Sequence, residues 1–78
     1  MKAIVENPLN TQIREEVIIF VSILNIVTTC NNEKELREAM SRYERIHNSG
    51  RFFNYGFGSN HMWVCQTGGS ERLIFVEF

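Results

Sequence analysis

The sequence predicts an α+β domain with a short N-terminal strand, a two-helix hairpin and then a three-stranded antiparallel meander, the helices packing on one face of the sheet. Three observations predict this order. An amphipathic pattern with the helical period follows Asn32, and a longer apolar run at residues 15–29 fits the same period. From residue 51 onward the period changes to two, with glycines between the runs. No linker, repeat or low-complexity segment interrupts the chain, so we expect residues 1–78 to form a single domain.

The first predicted strand covers residues 2–6. Ala3 and Val5 face one side of it and Ile4 the other. Pro8 ends the strand region, because proline has no backbone N–H to donate to a sheet.

The run at residues 15–29, EEVIIFVSILNIVTT, is predicted to be a helix. With a period of two, Ser22 and Asn25 fall on opposite faces; with a period of 3.6 they share one narrow polar stripe. The density of Val, Ile and Thr favours a strand, but propensity is the weaker signal. Asn10 or Thr11 is the predicted cap. The apolar surface is wider than one small sheet needs, so we expect this helix to be central both to the fold and to an oligomer.

The second helix is predicted from Asn32, as the N-cap, to Gly50, which can end it in a left-handed conformation. Glu35 follows the cap by three residues, as in a capping box. The apolar face consists of Leu36, Ala39, Met40, Tyr43 and Ile46. The acid–base pairs at four-residue spacing are Glu33–Arg37 and Glu38–Arg42.

The last three strands are predicted at residues 51–57, 61–66 and 72–78, with a tight hairpin at residues 67–70. If Gly68 and Gly69 form a two-residue loop, counting back sets the register. One face then carries the pairs Cys65–Arg72, Trp63–Ile74 and His61–Val76, and the other carries Val64–Leu73 and Met62–Phe75. Both faces are apolar, so we expect a partner to cover the one that the helices leave open.

Composition argues against several classes of protein. A net charge of -1 provides no electrostatic footprint for nucleic acid or for an anionic membrane. The N-terminus does not resemble a signal peptide, and the long apolar run is shorter than the ~20 residues that a membrane span needs. We therefore expect a cytoplasmic protein in which Cys30 and Cys65 are reduced, with a disulfide between them as the alternative. Neither cysteine has metal-ligand spacing to other residues, and no cofactor motif is present, so we expect no metal and no cofactor.

The candidate interaction residues cluster in the predicted strands. They are aromatic residues, a histidine and two nearby arginines: Phe53, Tyr55, His61, Trp63, Arg51 and Arg72. Core packing, a protein-binding surface and a stacking platform for single-stranded nucleic acid all use such residues. His61 is an ordinary edge histidine, a general base or a group that stacks on nucleic-acid bases.

The order of strand, two helices and three strands resembles that of the RelE/ParE toxin family over nearly the whole chain. Ribonucleases of that family use basic residues with Tyr or His in the last strands. The resemblance implies an RNA-cleaving activity in which Arg51, Tyr55, His61 and Arg72 would take these roles.

No catalytic constellation is apparent from the residues themselves. We therefore expect a small non-enzymatic protein-binding module that forms a homodimer and occupies a surface of a partner protein. Such chains are typical of inhibitors and accessory proteins of phages and mobile elements. An RNA-cleaving toxin and a single-stranded nucleic-acid binder are the alternatives.

Overall fold

A computed structural model covers residues 1–78 and has the predicted α+β architecture. Its elements are β1 (Lys2–Val5), α1 (Arg14–Thr29), α2 (Glu33–His47), a 3-10 turn (Ser49–Arg51), β2 (Phe53–Phe57), β3 (His61–Gln66) and β4 (Arg72–Glu77). The four strands form one antiparallel sheet in the order β1-β4-β3-β2. The predicted N-terminal strand, helical hairpin and three-stranded meander are confirmed.

The core lies between the helices and one face of the sheet. It comprises Ile19, Phe20, Ile23, Val27, Leu36, Met40, Phe53, Met62, Val64, Leu73, Ile74 and Val76. Each helix supplies one stripe to this core. The central strand β3 supplies alternate residues, and β4 supplies Leu73, Ile74 and Val76. Burial of such side chains is worth roughly 1.5 to 3 kcal/mol each, so this layer holds the domain together. Neither helix combines the length and apolar character that a membrane span requires.

The helix α1 is confirmed, but its predicted caps are wrong. The N-cap position is Ile13, without a side-chain cap. Thr11 lies outside the helix, where its hydroxyl accepts from the Ile13 N–H at 3.2 Å and donates to Glu16 at 3.0 Å. Gln66 also donates to the buried Glu16 carboxylate. Thr11 therefore satisfies a carboxylate inside the fold instead of capping the helix.

The start of α2 follows the sequence pattern closely. The Glu35 N–H donates to Asn32 Oδ1 at 2.9 Å, and Glu35 Oε1 accepts from the Asn31 N–H at 2.9 Å. The Glu33–Arg37 ion pair is present at 2.7 Å. The Asn32 and Glu35 side chains thus each accept a hydrogen bond from a backbone N–H that has no partner within the helix.

The residue that ends α2 is Asn48 and not the predicted Gly50. Asn48 has φ 51 and its N–H donates to the Glu44 carbonyl at 2.8 Å. Asparagine is among the few residues that tolerate the left-handed region, so the helix ends there. Gly50 lies within the 3-10 turn that follows.

The predicted register of β3 and β4 is correct at Cys65–Arg72 and wrong beyond it. Leu73 is an extra residue in β4, so Val64 pairs with Ile74 and Trp63 with Phe75. This bulge exchanges the two faces of β4 relative to the prediction. Ile74 and Val76 enter the core, whereas Phe75 joins Trp63 on the opposite face.

The hairpin turn also differs from the predicted two-residue glycine loop. The Gly69 N–H donates to the Gln66 carbonyl at 2.9 Å, so Thr67 and Gly68 occupy the centre of the turn. Gly68 has φ 84, a conformation that favours glycine.

Replacement of the α2 cap tests how much this helix end contributes to the fold. We expect Asn32→Ala to lower the free energy of unfolding by about 1 kcal/mol, because the Glu35 N–H loses its acceptor. For a chain of this size the melting temperature should fall by about 4 to 8 °C, as measured by circular dichroism. Asn31→Ala is the matched control, because only its backbone takes part in the cap. Equal melting temperatures for the two variants would contradict the assignment.

Candidate functional site

The sheet face opposite the helices is the candidate site, and we call it the open face. Pairing aligns four of its residues in one row across the strands: Ile4 in β1, Phe75 in β4, Trp63 in β3 and Gly56 in β2. Trp63 and Phe75 are partly exposed and do not belong to the core cluster. The centre of the sheet therefore presents large aromatic side chains to the outside.

Trp63 lies across the backbone of Gly56, the residue opposite it in β2. A Cβ atom at position 56 would stand 2.6 Å from Trp63 Cε2, closer than such atoms approach. The ring of His61 lies over Gly58 in the same way, with Nε2 2.6 Å from a Cβ placed there. Two glycines thus leave the space in which two rings lie on the sheet.

Phe75 is held between a histidine and an arginine. The His61 and Phe75 rings stack with centroids 5.2 Å apart at 26°, and the Arg72 guanidinium lies 4.4 Å from the Phe75 centroid. His61 pairs with Glu77, whereas Arg72 lies at the start of β4, so the two flank Phe75 along the strand. Arg72 also forms an ion pair with Glu6 at 2.8 Å. These contacts limit the motion of the Phe75 ring.

A shallow cavity of about 370 Å³ adjoins Trp63 on the open face. Its lining is Asn54, Trp63, Cys65, Gly69, Ser70 and Arg72. It combines apolar surface with amide, hydroxyl and guanidinium groups, which suits binding through shape and hydrogen bonds. His61 Nδ1 lies 3.1 Å from Asn60 Oδ1 outside this cavity. No group of three His, Cys, Asp or Glu side chains is arranged to hold a metal ion.

Three of the six predicted interaction residues come together on the open face. These are His61, Trp63 and Arg72. The bulge at Leu73 adds Phe75 to them, and the β1–β4 pairing adds Ile4.

The other three predicted residues lie elsewhere. Phe53 is buried in the core, its ring centroid 5.7 Å from that of Phe20, and offers no surface to a partner. Tyr55 is on the helix side of the sheet and donates to Glu44 of α2 at 3.0 Å. Arg51 pairs with Glu15 at the start of α1. The aromatic sequence of β2 therefore divides between core and helix contacts.

Sequence reasoning missed Phe75, Ile4 and Gly56 as members of the site. Gly56 carried a usable signal, since a glycine inside a strand pattern indicates close approach of another group. The sequence pattern predicts Phe75 on the face opposite Trp63, because nothing local marks Leu73 as a bulge. Ile4 had no signal, because its position depends on which strand β1 pairs with.

The geometry defines this protein as an α+β domain with one helical layer and one uncovered aromatic sheet face. A family model described as "Domain of unknown function (DUF8466)" matches residues 1–77, and the chain belongs to that family. No curated protein and no solved structure matches the chain. The likeness to RelE/ParE toxins therefore stays a comparison of element order.

Replacement of Gly56 tests the placement of Trp63. In Gly56→Ala the new methyl group meets the indole ring, so we expect Trp63 to swing off the sheet. Trp63 is the single tryptophan, and its emission should shift to longer wavelength with faster quenching by acrylamide. We expect a stability loss on the order of 1–3 kcal/mol from overpacking. Gly69→Ala is the control, since its nearest contact of 3.4 Å is ordinary. Unchanged emission in Gly56→Ala would contradict this placement.

The helix-side contact of Tyr55 predicts a response to alkaline pH. Burial raises the pKa of Tyr55, and the hydrogen bond to Glu44 and the charge of that carboxylate raise it further. A pKa that is higher in the folded state than in the unfolded state makes the free energy of unfolding depend on pH. The contribution of Tyr55 is fully present below its unfolded-state pKa of about 10 and is lost as pH rises through its folded-state pKa.

Urea unfolding across this alkaline range measures the effect. We expect the native chain to lose stability more steeply than Tyr55→Phe, which has no phenol at this position. Tyr43→Phe leaves Tyr55 as the single tyrosine, so its tyrosinate absorbance should appear above pH ~10. Titration of Tyr55 at or below the ordinary value would contradict the contact.

Proposed function

We propose that this protein is a small non-enzymatic protein-binding module that acts in the cytoplasm by covering a surface of a partner protein with its open face. The observation that carries the proposal is the position of Trp63 and Phe75. Both lie at the centre of the sheet face opposite the core, and both are partly exposed. Contiguous exposed apolar surface on a small domain usually marks an interaction site.

The open face has the composition of a protein interface. Its centre is the row that contains Ile4, Phe75 and Trp63. Polar groups surround the row, including Lys2, Asn54, His61, Arg72 and Glu77. Trp and Arg are enriched among residues that dominate binding energy, particularly when central and surrounded by a polar rim.

The side chains at this centre are held before binding. Trp63 rests on Gly56, and Phe75 is flanked by His61 and Arg72. Immobilising a free side chain on association costs about 0.5–1.5 kcal/mol. A surface whose rings are already in place avoids much of that cost, which supports a binding role for this face.

Self-association is the second part of the proposal. The α1 residues Val17, Ile18 and Val21 are more than a third exposed, although they belong to the most apolar segment of the chain. A homodimer that covers one flank of α1 would remove this apolar surface from water. The small size and the binding surface suit an inhibitor or accessory protein of a phage or mobile element, and this is the biological role we propose.

The RNA-cleaving alternative receives less support from the geometry. Of the residues that the resemblance implies, His61 and Arg72 share the open face, Tyr55 contacts α2 and Arg51 contacts α1. They do not gather at one site where a scissile phosphate could meet them all.

Single-stranded nucleic-acid binding has one favourable feature, the ring of Trp63 lying on the sheet as a stacking surface. Few cations accompany it. Lys2 stands opposite Glu77, and Arg72 is paired with Glu6. Phosphate binding needs several free positive charges, so we favour a protein partner.

Trp63→Ala tests the proposed surface. The tagged native chain is used to capture partners from a lysate of the source organism, and recovered proteins are quantified by mass spectrometry. We expect Trp63→Ala to weaken binding of the specific partner by at least about 30-fold, the equivalent of 2 kcal/mol expected of a central tryptophan.

Ile46→Ala is the matched control. Ile46 is a large apolar residue, 66% exposed, but it lies on α2 away from the open face. We expect it to bind like the native chain. Equal binding by all three folded proteins would overturn the proposal. Recovery of nucleic acid in place of protein, with affinity that falls steeply with salt, would favour the stacking alternative.

A further inference from the structure

The strand β1 forms one edge of the sheet and is unusually bare. It pairs with β4 on one side and has no neighbour on the other. All four of its residues are exposed, including Val5 at 52% on the side where the helices lie. An unprotected edge with apolar side chains is a template for another strand.

The backbone groups of β1 divide cleanly between its two edges. The Glu6 N–H donates to the Leu73 carbonyl at 2.8 Å, so Glu6 faces β4. Because hydrogen-bonding direction alternates along an antiparallel strand, Lys2 and Ile4 also face β4. The N–H and C=O groups of Ala3 and Val5 therefore point out from the free edge.

The side chains of β1 are complementary to a second copy of the same strand. In an antiparallel pair centred on Ile4, Lys2 stands opposite Glu6 of the second copy, and Ala3 stands opposite Val5. Twofold symmetry makes each contact twice. The outward backbone groups of Ala3 and Val5 then meet in two hydrogen-bonded pairs. Opposite charges facing each other across strands contribute roughly 0.2–1 kcal/mol per pair.

The helix layer adds apolar surface on the same side. Tyr55 bonds to Glu44 and Arg37 lies 4.2 Å from the Phe57 ring centroid, so α2 lies over β2, the strand farthest from β1. Ile26 of α1 lies on the side of that helix nearest α2.

Val17 and Val21 are about halfway round α1 from Ile26, so they face the β1 side of the molecule. Pairing through β1 would place Val17 and Val21 of one copy opposite the same residues of the other. Ala3 and Val5 of both copies would form the sheet surface beneath them. In contrast, the inner face of β2, at the other edge, is covered by both helices.

We infer that two copies of this chain associate through β1, antiparallel and centred on Ile4, to form one continuous eight-stranded sheet. The inference rests on the proposed self-association and adds its location and register. Both helix layers fall on one side of the joined sheet. The two open faces join on the other side, where the row of Gly56, Trp63, Phe75 and Ile4 continues into its symmetric copy. A partner that covers this doubled surface would be large or itself twofold symmetric.

Disulfide trapping in Ile4→Cys tests the register. In the inferred dimer, residue 4 of one copy lies opposite residue 4 of the other in a non-hydrogen-bonded pair. The Cα atoms of such a pair are about 4.5 Å apart, a distance that a disulfide can span. We expect an intermolecular disulfide between the two introduced thiols, identified by peptide mass, to form at least about tenfold faster than in Lys2→Cys, because pairing raises the effective thiol concentration. Lys2→Cys is the matched control, since its two copies would lie roughly 13 Å apart at 3.3 Å per residue. Cys30 and Cys65 are present in both variants.

Sedimentation of the full chain measures the association itself. We expect a species of twice the 9.1 kDa chain mass. Ala3→Pro removes an outward N–H without touching those that bond β4, so the dimer dissociation constant should rise at least about tenfold while the circular dichroism spectrum is kept.

The outcomes separate this inference from the proposed function. A native chain that stays monomeric at high concentration overturns both the self-association and its location. A dimer that Ala3→Pro leaves intact, with Ile4→Cys trapped no faster than Lys2→Cys, overturns the β1 interface alone. Neither result bears on partner binding through Trp63, which the lysate comparison tests separately.

Discussion

The sheet has two apolar faces, and the chain supplies a single layer of helices to cover them. This constraint governs the rest of the molecule. The face that carries Met62, Val64, Ile74 and Val76 is covered by α1 and α2 at these residues and forms the core. The opposite face carries the large aromatic residues Trp63 and Phe75, which are partly exposed to solvent. The core and the proposed binding surface therefore lie on opposite sides of the same strands.

The open face is ordered by small residues as much as by large ones. Gly56 and Gly58 provide the space in which Trp63 and His61 lie over the sheet. Phe75 is then fixed between His61 and Arg72, and Arg72 is fixed in turn by Glu6. The contacts that hold these side chains therefore come from the strands and from residues next to them, Glu6 and Gly58.

The helix α1 has more apolar surface than the core of one copy buries. One side of the helix is buried, but Val17 and Val21 lie on a flank that neither α2 nor the sheet covers. The residues of β1 are exposed as well, including those on its inner face. A second copy would cover both features at once, which links the unusual composition of α1 to the bare edge of β1.

The sequence by itself determined the element order, the capping of α2 and the change of period from 3.6 to two. These depend on neighbours within a few residues, such as the bond from Glu35 to Asn32. Tertiary structure decided the residues that face outward. The bulge at Leu73 places Phe75 on the open face. Tyr55 instead bonds to Glu44 of α2, and Phe53 is buried in the core. A one-residue shift reverses every side chain of a strand, and whether it occurs depends on packing across the sheet, which no local pattern records.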